Sequence, residues 1–200
     1  MTSTTPVTPV VICADDYALT PGVCAGIIEL AELGRISATS AMTLSPHWPS
    51  WARQARALQT RIDVGLHLDW TSDFAQQQGF GASLGQVMLR SLLRTLSPVT
   101  VRAHIERQLD LFEQHTGTAP DHVDGHQHVQ QFPVIRAQLL QALAQRYPQA
   151  PRPWLRVVTN GWNRWLATSG ARPEPVSATL ISAKPDGSAA VAISRRDRKS

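Results

Sequence analysis

The chain has 200 residues, 42% of them hydrophobic, which suits one domain with a sizeable core. Its formal charge of +4 would hint at nucleic acid if it lay on one face, but residues 161–200 hold seven Lys/Arg against three Asp/Glu, so residues 1–160 are balanced and no nucleic-acid partner is expected. No apolar run approaches the roughly 20 residues of a membrane span, and the opening MTSTTPVTPV has neither the basic nor the apolar part of a secretory signal, so a cytoplasmic protein is expected.

In chain order, residues 7–14 read as a strand that is apolar enough to be buried on both faces. Thr20 as a cap and Pro21 in a first turn open a helix through "GVCAGIIELAEL", which Gly34 stops. Residues 38–44 form a second strand, "PSWARQARALQ" a second helix with Ser45 or Ser50 near its start, and "VGLHL" a third strand. Residues 71–98 are polar and less patterned, with a helix at 84–96, and read as a long insertion over one face. Residues 100–116 carry Val101, Ile105, Leu109 and Phe112 at helical spacing before Gly117. "DHVDGH" is a short strand with its exit, "VIRAQLLQALAQRY" a helix after Pro133, and "WLRVV" the last clear strand. Strands alternating with helices predict an α/β fold with a parallel sheet. With only about five good strands against the roughly 250 residues of a closed barrel, an irregular or partial (β/α) barrel is expected, with an open sheet as the alternative.

Functional groups of parallel α/β folds gather at the carboxyl ends of the strands. Asp15 and Asp16 follow the first strand, His67 lies near the end of the third, and His122, Asp124, His126 and His128 lie on and after the fourth. Adjacent carboxylates raise each other's pKa unless a cation or a proton relieves them. Imidazole and carboxylate are the usual ligands of a catalytic divalent ion, and two His with one carboxylate leave positions open for water and substrate. One aspartate could ligate while the other accepts the proton of an activated water. Taken singly, an Asp after a strand is more often a helix cap, and a His within "GLHL" more often a core residue. The convergence of three strands on one rim outweighs those readings. If the fourth strand continues past Gly125, alternation puts His122, Asp124, His126 and His128 on one side. His47, His104 and His115 receive no role, and Cys13 and Cys24, not spaced as CxxC, read as reduced thiols.

"ADDYALTPGVCAGIIELAELGRISATSAM", "VGLHLDWT" and "HVDGHQHVQQFP" resemble the YdjC-like carbohydrate deacetylases, the group of the chitooligosaccharide and hopanoid-associated deacetylases, over roughly residues 8–160. The resemblance implies a metal-dependent hydrolase on an irregular (β/α) barrel that removes an N-acetyl group from an amino sugar or a sugar-containing lipid head group. It implies Asp16, His67 and His126 as ligands of one divalent metal, Asp15 as base, His128 as a rim residue that contacts substrate or protonates the amine, and His122 and Asp124 as residues that orient the ligands. It suggests Mg, with Zn, Mn or Co as alternatives. Trp70, just past His67, offers a stacking face for a sugar, or is a buried aromatic. Ala18 stands where the family usually has Gly, which is tolerable unless the turn needs φ > 0, and Gln130 where many members have a further His.

Family members run well beyond 200 residues, and nothing after about residue 160 resembles their remaining segments. Residues 161–200 are therefore set apart as an atypical tail, either a β-hairpin of "VSATLISA" and "AAVAIS" around "KPDGS" or a disordered, out-of-frame end, with the second preferred. A truncated barrel would keep an open sheet edge, which leaves a homodimer open. Two other readings stand beside the deacetylase: a phosphoesterase or amidohydrolase on a similar barrel, and an inactive truncated family member.

Overall fold

A computed structural model describes residues 10–149, 151–157 and 189–193. The elements in order are β1 (Val10–Tyr17), α1 (Pro21–Glu32), β2 (Ala38–Ala41), α2 (Trp48–Leu58), β3 (Asp63–Leu68), α3 (Asp73–Gln77), α4 (Leu84–Leu92), α5 (Pro98–Thr116), β4 (His122–Gly125), a 3-10 segment (His126–Gln131), α6 (Pro133–Arg146), β5 (Trp154–Leu155) and β6 (Ala189–Ile193). Every strand pair is parallel, and the sheet order is β5-β4-β3-β2-β1-β6. Strands β1 to β5 stand in chain order and the last strand returns to the far side of β1. That is the succession of a partial (β/α) barrel, as expected from the alternating pattern.

Local chemistry fixes the helices. Thr20 Oγ1 accepts from the Val23 amide at 3.2 Å, and Pro21 occupies the first turn of α1. Ser97 caps α5, and Gly117 at φ +75° ends it in the left-handed conformation that glycine adopts without strain. Ser45 and Ser50 lie near the start of the second helix, as expected, although neither caps α2; Ser45 Oγ accepts from the His47 amide at 3.1 Å and donates to the Ala18 carbonyl, which ties the loop after β2 to the exit of β1. The 71–98 insertion contains α3, capped by Ser72, and α4, capped by a reciprocal Ser83–Gln86 pair.

The core lies between the sheet and its helices. The apolar side of α5 (Ile105, Leu109, Phe112) is fully buried, and Phe112 stacks on Trp48 of α2 with centroids 5.6 Å apart. Trp48 Nε1 also donates to the Leu111 carbonyl at 3.0 Å. Each such side chain contributes about 1.5–3 kcal/mol by leaving water, so α2 and α5 are clamped to the same face.

One expectation about the strands changes. The fourth strand stops at Gly125; Gln127 (φ 53°) and His128 (φ 61°) are left-handed, so alternation does not carry through to His126 and His128. Of the two alternatives for residues 161–200, the hairpin's first half, "VSATLISA", lies outside the described residues, while Ala189–Ile193, from its second half, runs parallel to β1, with Val10 opposite Ala189 and Ala14 opposite Ile193. No helix among the described residues is long and apolar enough to cross a membrane.

Candidate active site

β1 carries both aspartates in an irregularity near the carboxyl end of its pairing with β2. Ala14 pairs with Thr39 but Tyr17 pairs with Ala41, so three steps on β1 match two on β2, and the extra residue is a bulge at Asp15–Asp16. Asp16 is left-handed (φ 67°), an uncommon state for a non-glycine residue that surrounding contacts must hold. Simple alternation would send two consecutive side chains to opposite faces. The bulge lets both reach the carboxyl rim, where Asp16 Oδ1 lies 3.2 Å from His67 Nε2 and 3.0 Å from His126 Nδ1, and Asp15 Oδ1 lies 2.8 Å from Arg156 Nη2.

His67 and Asp124 face each other in the β3–β4 register. His67 Nδ1 meets Asp124 Oδ1 at 2.6 Å and Ser40 Oγ at 3.0 Å, which leaves Nε2 aimed at Asp16. Burial alone would lower the His67 pKa, but the Asp124 carboxylate outweighs it and pushes the ring up to about 10. Burial would likewise raise the Asp16 carboxyl, yet hydrogen bonds from His126 and His67 hold it well below the usual carboxylate range. For Asp124, the charges of His67 and Arg156 overcome burial in the same way.

Beneath this lies a wholly buried layer. Arg156, on the residue after β5, places Nη2 2.7 Å from Asp124 Oδ2 as well as 2.8 Å from Asp15. His122 is stacked on Trp154 (centroids 4.4 Å) and lowered by burial to about 4, so it is neutral. Gly65 makes room for it: a Cβ there would stand 2.5 Å from the His122 ring. Cys13 Sγ is 3.8 Å from His122 Nε2, and burial pushes its thiol well up.

Two groups of donors are close enough to share an ion: Asp16, His67 and His126, and separately Cys13, His122 and Asp124. The first fits a divalent cation. Its three donor atoms lie within 4.8 Å of one another, two are imidazole nitrogens and one a carboxylate, and Asp16 and His126 are partly exposed to a cleft. The hydrogen bond from His67 Nδ1 to Asp124 is the support usual for a metal-binding imidazole. The second does not fit: Arg156 already supplies its positive charge, and the thiol is held protonated.

The cleft encloses about 1570 Å³ and is lined by Asp15, Asp16, His67, His126, His128 and Phe74 among others. Burial, and then the Arg156 charge, lower the His128 pKa. The rim thus brings together Asp15, Asp16, His67, His126 and His128, with His122 and Asp124 behind them. Trp70 does not join them. It is 3% exposed, stands edge-on to Phe80, and lines a separate cavity of about 360 Å³. Gln130 is not at the rim either; its Nε2 donates to the Arg156 carbonyl at 2.9 Å. Sequence reasoning missed Arg156, whose signal was a lone charge inside the apolar run "WLRVV", and Phe74, which had none.

The chain is thus an α/β protein whose parallel sheet presents a His–His–Asp donor set beside a second carboxylate. The sequence model of the YdjC-like protein family matches residues 9–195, and the chain belongs to that family. A carbohydrate deacetylase of Halalkalibacterium halodurans is 29% identical over 166 residues, 78% of this chain and 68% of the relative. A mouse carbohydrate deacetylase is 30% identical over 70% of this chain and 50% of its own. A chitooligosaccharide deacetylase of Serratia marcescens is 29% identical over 68% and 55%. The chain thus spans about half to two thirds of the length of these relatives. A solved structure from Enterococcus faecalis V583, of a protein named for cellobiose-phosphate cleavage, shares the fold with a TM-score of 0.63 at 23% identity, over 80% of this chain and 64% of that one.

Proposed function

We propose that the chain is a metal-dependent hydrolase that removes the N-acetyl group of an amino sugar, free or carried on a lipid head group. The observation that carries this reading is the two-part rim: three donors able to share one cation, and beside them a separate carboxylate, Asp15, gripped by a buried arginine. Asp16, His67 and His126 would hold the divalent ion; Mg is the family's suggestion, and the donor set also suits Zn, Mn or Co. When bound, such an ion polarises an acetyl carbonyl and lowers the pKa of water.

The remaining work falls to the chain's own side chains. Asp15 accepts the proton of the attacking water, and the Arg156 guanidinium 2.8 Å away fixes its direction. Asp124 holds the His67 ring by its Nδ1–H. As the carbon–nitrogen bond breaks, the amine nitrogen takes a proton from His128, which lines the same cleft. Burial and the Arg156 charge lower the His128 pKa, so the proton it delivers would be taken up during turnover, and the one that Asp15 receives from the water is available in the same cleft. Phe74 takes the place beside the sugar ring that sequence reasoning gave to Trp70. Two buried free thiols, Cys13 and Cys24, suit a reducing compartment such as the cytoplasm. Relatives named as deacetylases favour an amide over a phosphoester substrate.

The test is acetate release from N-acetylated chitooligosaccharides, with inorganic phosphate release as the counter-assay. Asp15→Asn and His126→Ala are each expected to lower the rate by about 10²–10⁴-fold. Full activity in both variants, or phosphate in place of acetate, would overturn the reading.

A further inference from the structure

α4 is built the wrong way round for a helix that only covers a core. Its buried positions are Val87 and Ser91, while Leu84, Met88, Leu89, Leu92 and Leu93 are exposed, the last three by 56%, 59% and 64%. At 3.6 residues per turn these five side chains sweep about half the helix circumference, and Val99, 79% exposed, follows just beyond. Scattered surface leucines are ordinary; a contiguous apolar half-cylinder on an exposed helix marks an interaction surface.

Charge says what kind. Between Asp73 and Glu106 the sequence has no carboxylate, and it has Arg90, Arg94 and Arg102. Ser91 Oγ accepts from the Val134 amide at 3.3 Å, which seats α4 against the start of α6. α6 and the 3-10 segment before it, which pack on α4, also contain no Asp or Glu and add Arg136 and Arg146, the latter paired with Glu106, Asp110 and Glu113. Arg102 is paired with Glu106, whereas Arg90, Arg94 and Arg136 are exposed and have no ion-pair partner among the described residues. Leucine and methionine on one arc, with unpaired arginines on the same helix, just after it and on the helix packed against it, and no acid in those elements, is the composition of a helix that lies in a lipid interface. A second copy of the chain would bring these arginines together with no carboxylate to meet them. An anionic head-group layer offers a phosphate to each.

We propose that α4 is a membrane-surface docking element, which lays the Leu84–Leu93 face into the head-group region of an anionic bilayer without spanning it. The proposal stands apart from the reaction at the rim. It does bear on which substrates the protein meets, because α4 also packs against the 3-10 segment that carries His126 and His128.

The test is co-sedimentation of the whole chain with vesicles of phosphatidylcholine alone and with a third phosphatidylglycerol, with size-exclusion measurements alongside. Wild type is expected to bind the anionic vesicles at least tenfold more strongly, with binding that falls as salt is raised. Leu89→Ser/Leu93→Ser is expected to lose more than tenfold of that binding with an unchanged unfolding temperature, since both side chains are exposed. Arg90→Gln/Arg94→Gln should lose the anionic preference. No binding by wild type overturns the proposal. If the chain is a dimer that Leu89→Ser/Leu93→Ser makes monomeric, the face is a contact between copies. If it is a monomer that binds no vesicle, the face is covered by residues of its own chain. Acetate release by protein free in solution is read separately, so loss of docking and loss of chemistry are distinguishable.

Discussion

The rim has two layers that share aspartate and histidine, and they differ in depth. The open layer (Asp15, Asp16, His126, His128) borders the cleft, whereas His122, Asp124 and Arg156 beneath it are 0–2% exposed. A buried carboxylate and guanidinium cannot meet a substrate. They are tolerable because each answers another: Arg156 contacts Asp124 and Asp15 together, and Asp124 also holds His67. The comparison teaches that residue identity alone does not assign roles at such a rim. Depth separates groups that can do chemistry from groups that set the direction and charge of those that do.

That contrast can be broken by substitution. Arg156→Met leaves Asp124 Oδ2 buried without its cation, and unfolding free energy is expected to drop by about 3–5 kcal/mol, as for a broken buried ion pair. His126→Ala, in the open layer, should change it by no more than about 1 kcal/mol. Chemical denaturation measures both, and equal effects would erase the distinction between layers. The pH dependence of thermal unfolding in chelator sharpens it. His67, at about 10 in the fold against an ordinary 6.5, contributes stability that is whole below pH 6.5 and is lost as pH rises towards 10. His122, at about 4, has the opposite sign, and its contribution is lost as pH falls from 6.5 towards 4. The unfolding temperature should therefore peak near pH 6.5, and a profile that rises steadily from pH 4 to 10 would show that the His67–Asp124 contact is not made. The smallest effect is expected at Ala18. It is left-handed at φ 71°, so the turn does need the conformation that glycine adopts freely. Ala18→Gly should stabilise the protein by about 1 kcal/mol and leave acetate release unchanged.

Much of this was legible in the sequence because it rests on periodicity and local signals. The βα alternation gave the parallel sheet, Thr20 with Pro21 gave the start of α1, and Gly117 gave the end of α5. The residues that converge at the rim stood out by their positions after strands, which is where parallel topology collects them. What was not legible depends on contacts between distant segments. The bulge at Asp15–Asp16 exists only against β2, and no pattern within β1 announces it. Arg156 is a charge in an apolar strand, and its meaning appears only when Asp15 and Asp124, 141 and 32 positions away, arrive beside it. Trp70 follows His67 closely, yet the chain turns at Asp69, which accepts from the Thr71 and Ser72 amides, and the indole packs on Phe80 instead of the cleft. The return of Ala189–Ile193 to β1 is likewise a matter of topology that turn residues could not reveal.

The extra residue in β1 also separates architecture from chemistry. On either side of it β1 is in plain parallel pairing with β2, and α1 begins from its own cap at Thr20. Removing a single aspartate would restore an unbroken register and leave the sheet, the helices and the core in place, while the rim would lose one of its two adjacent carboxylates. A scaffold arranged this way can yield descendants that still fold but lack the paired carboxylates through the loss of one codon.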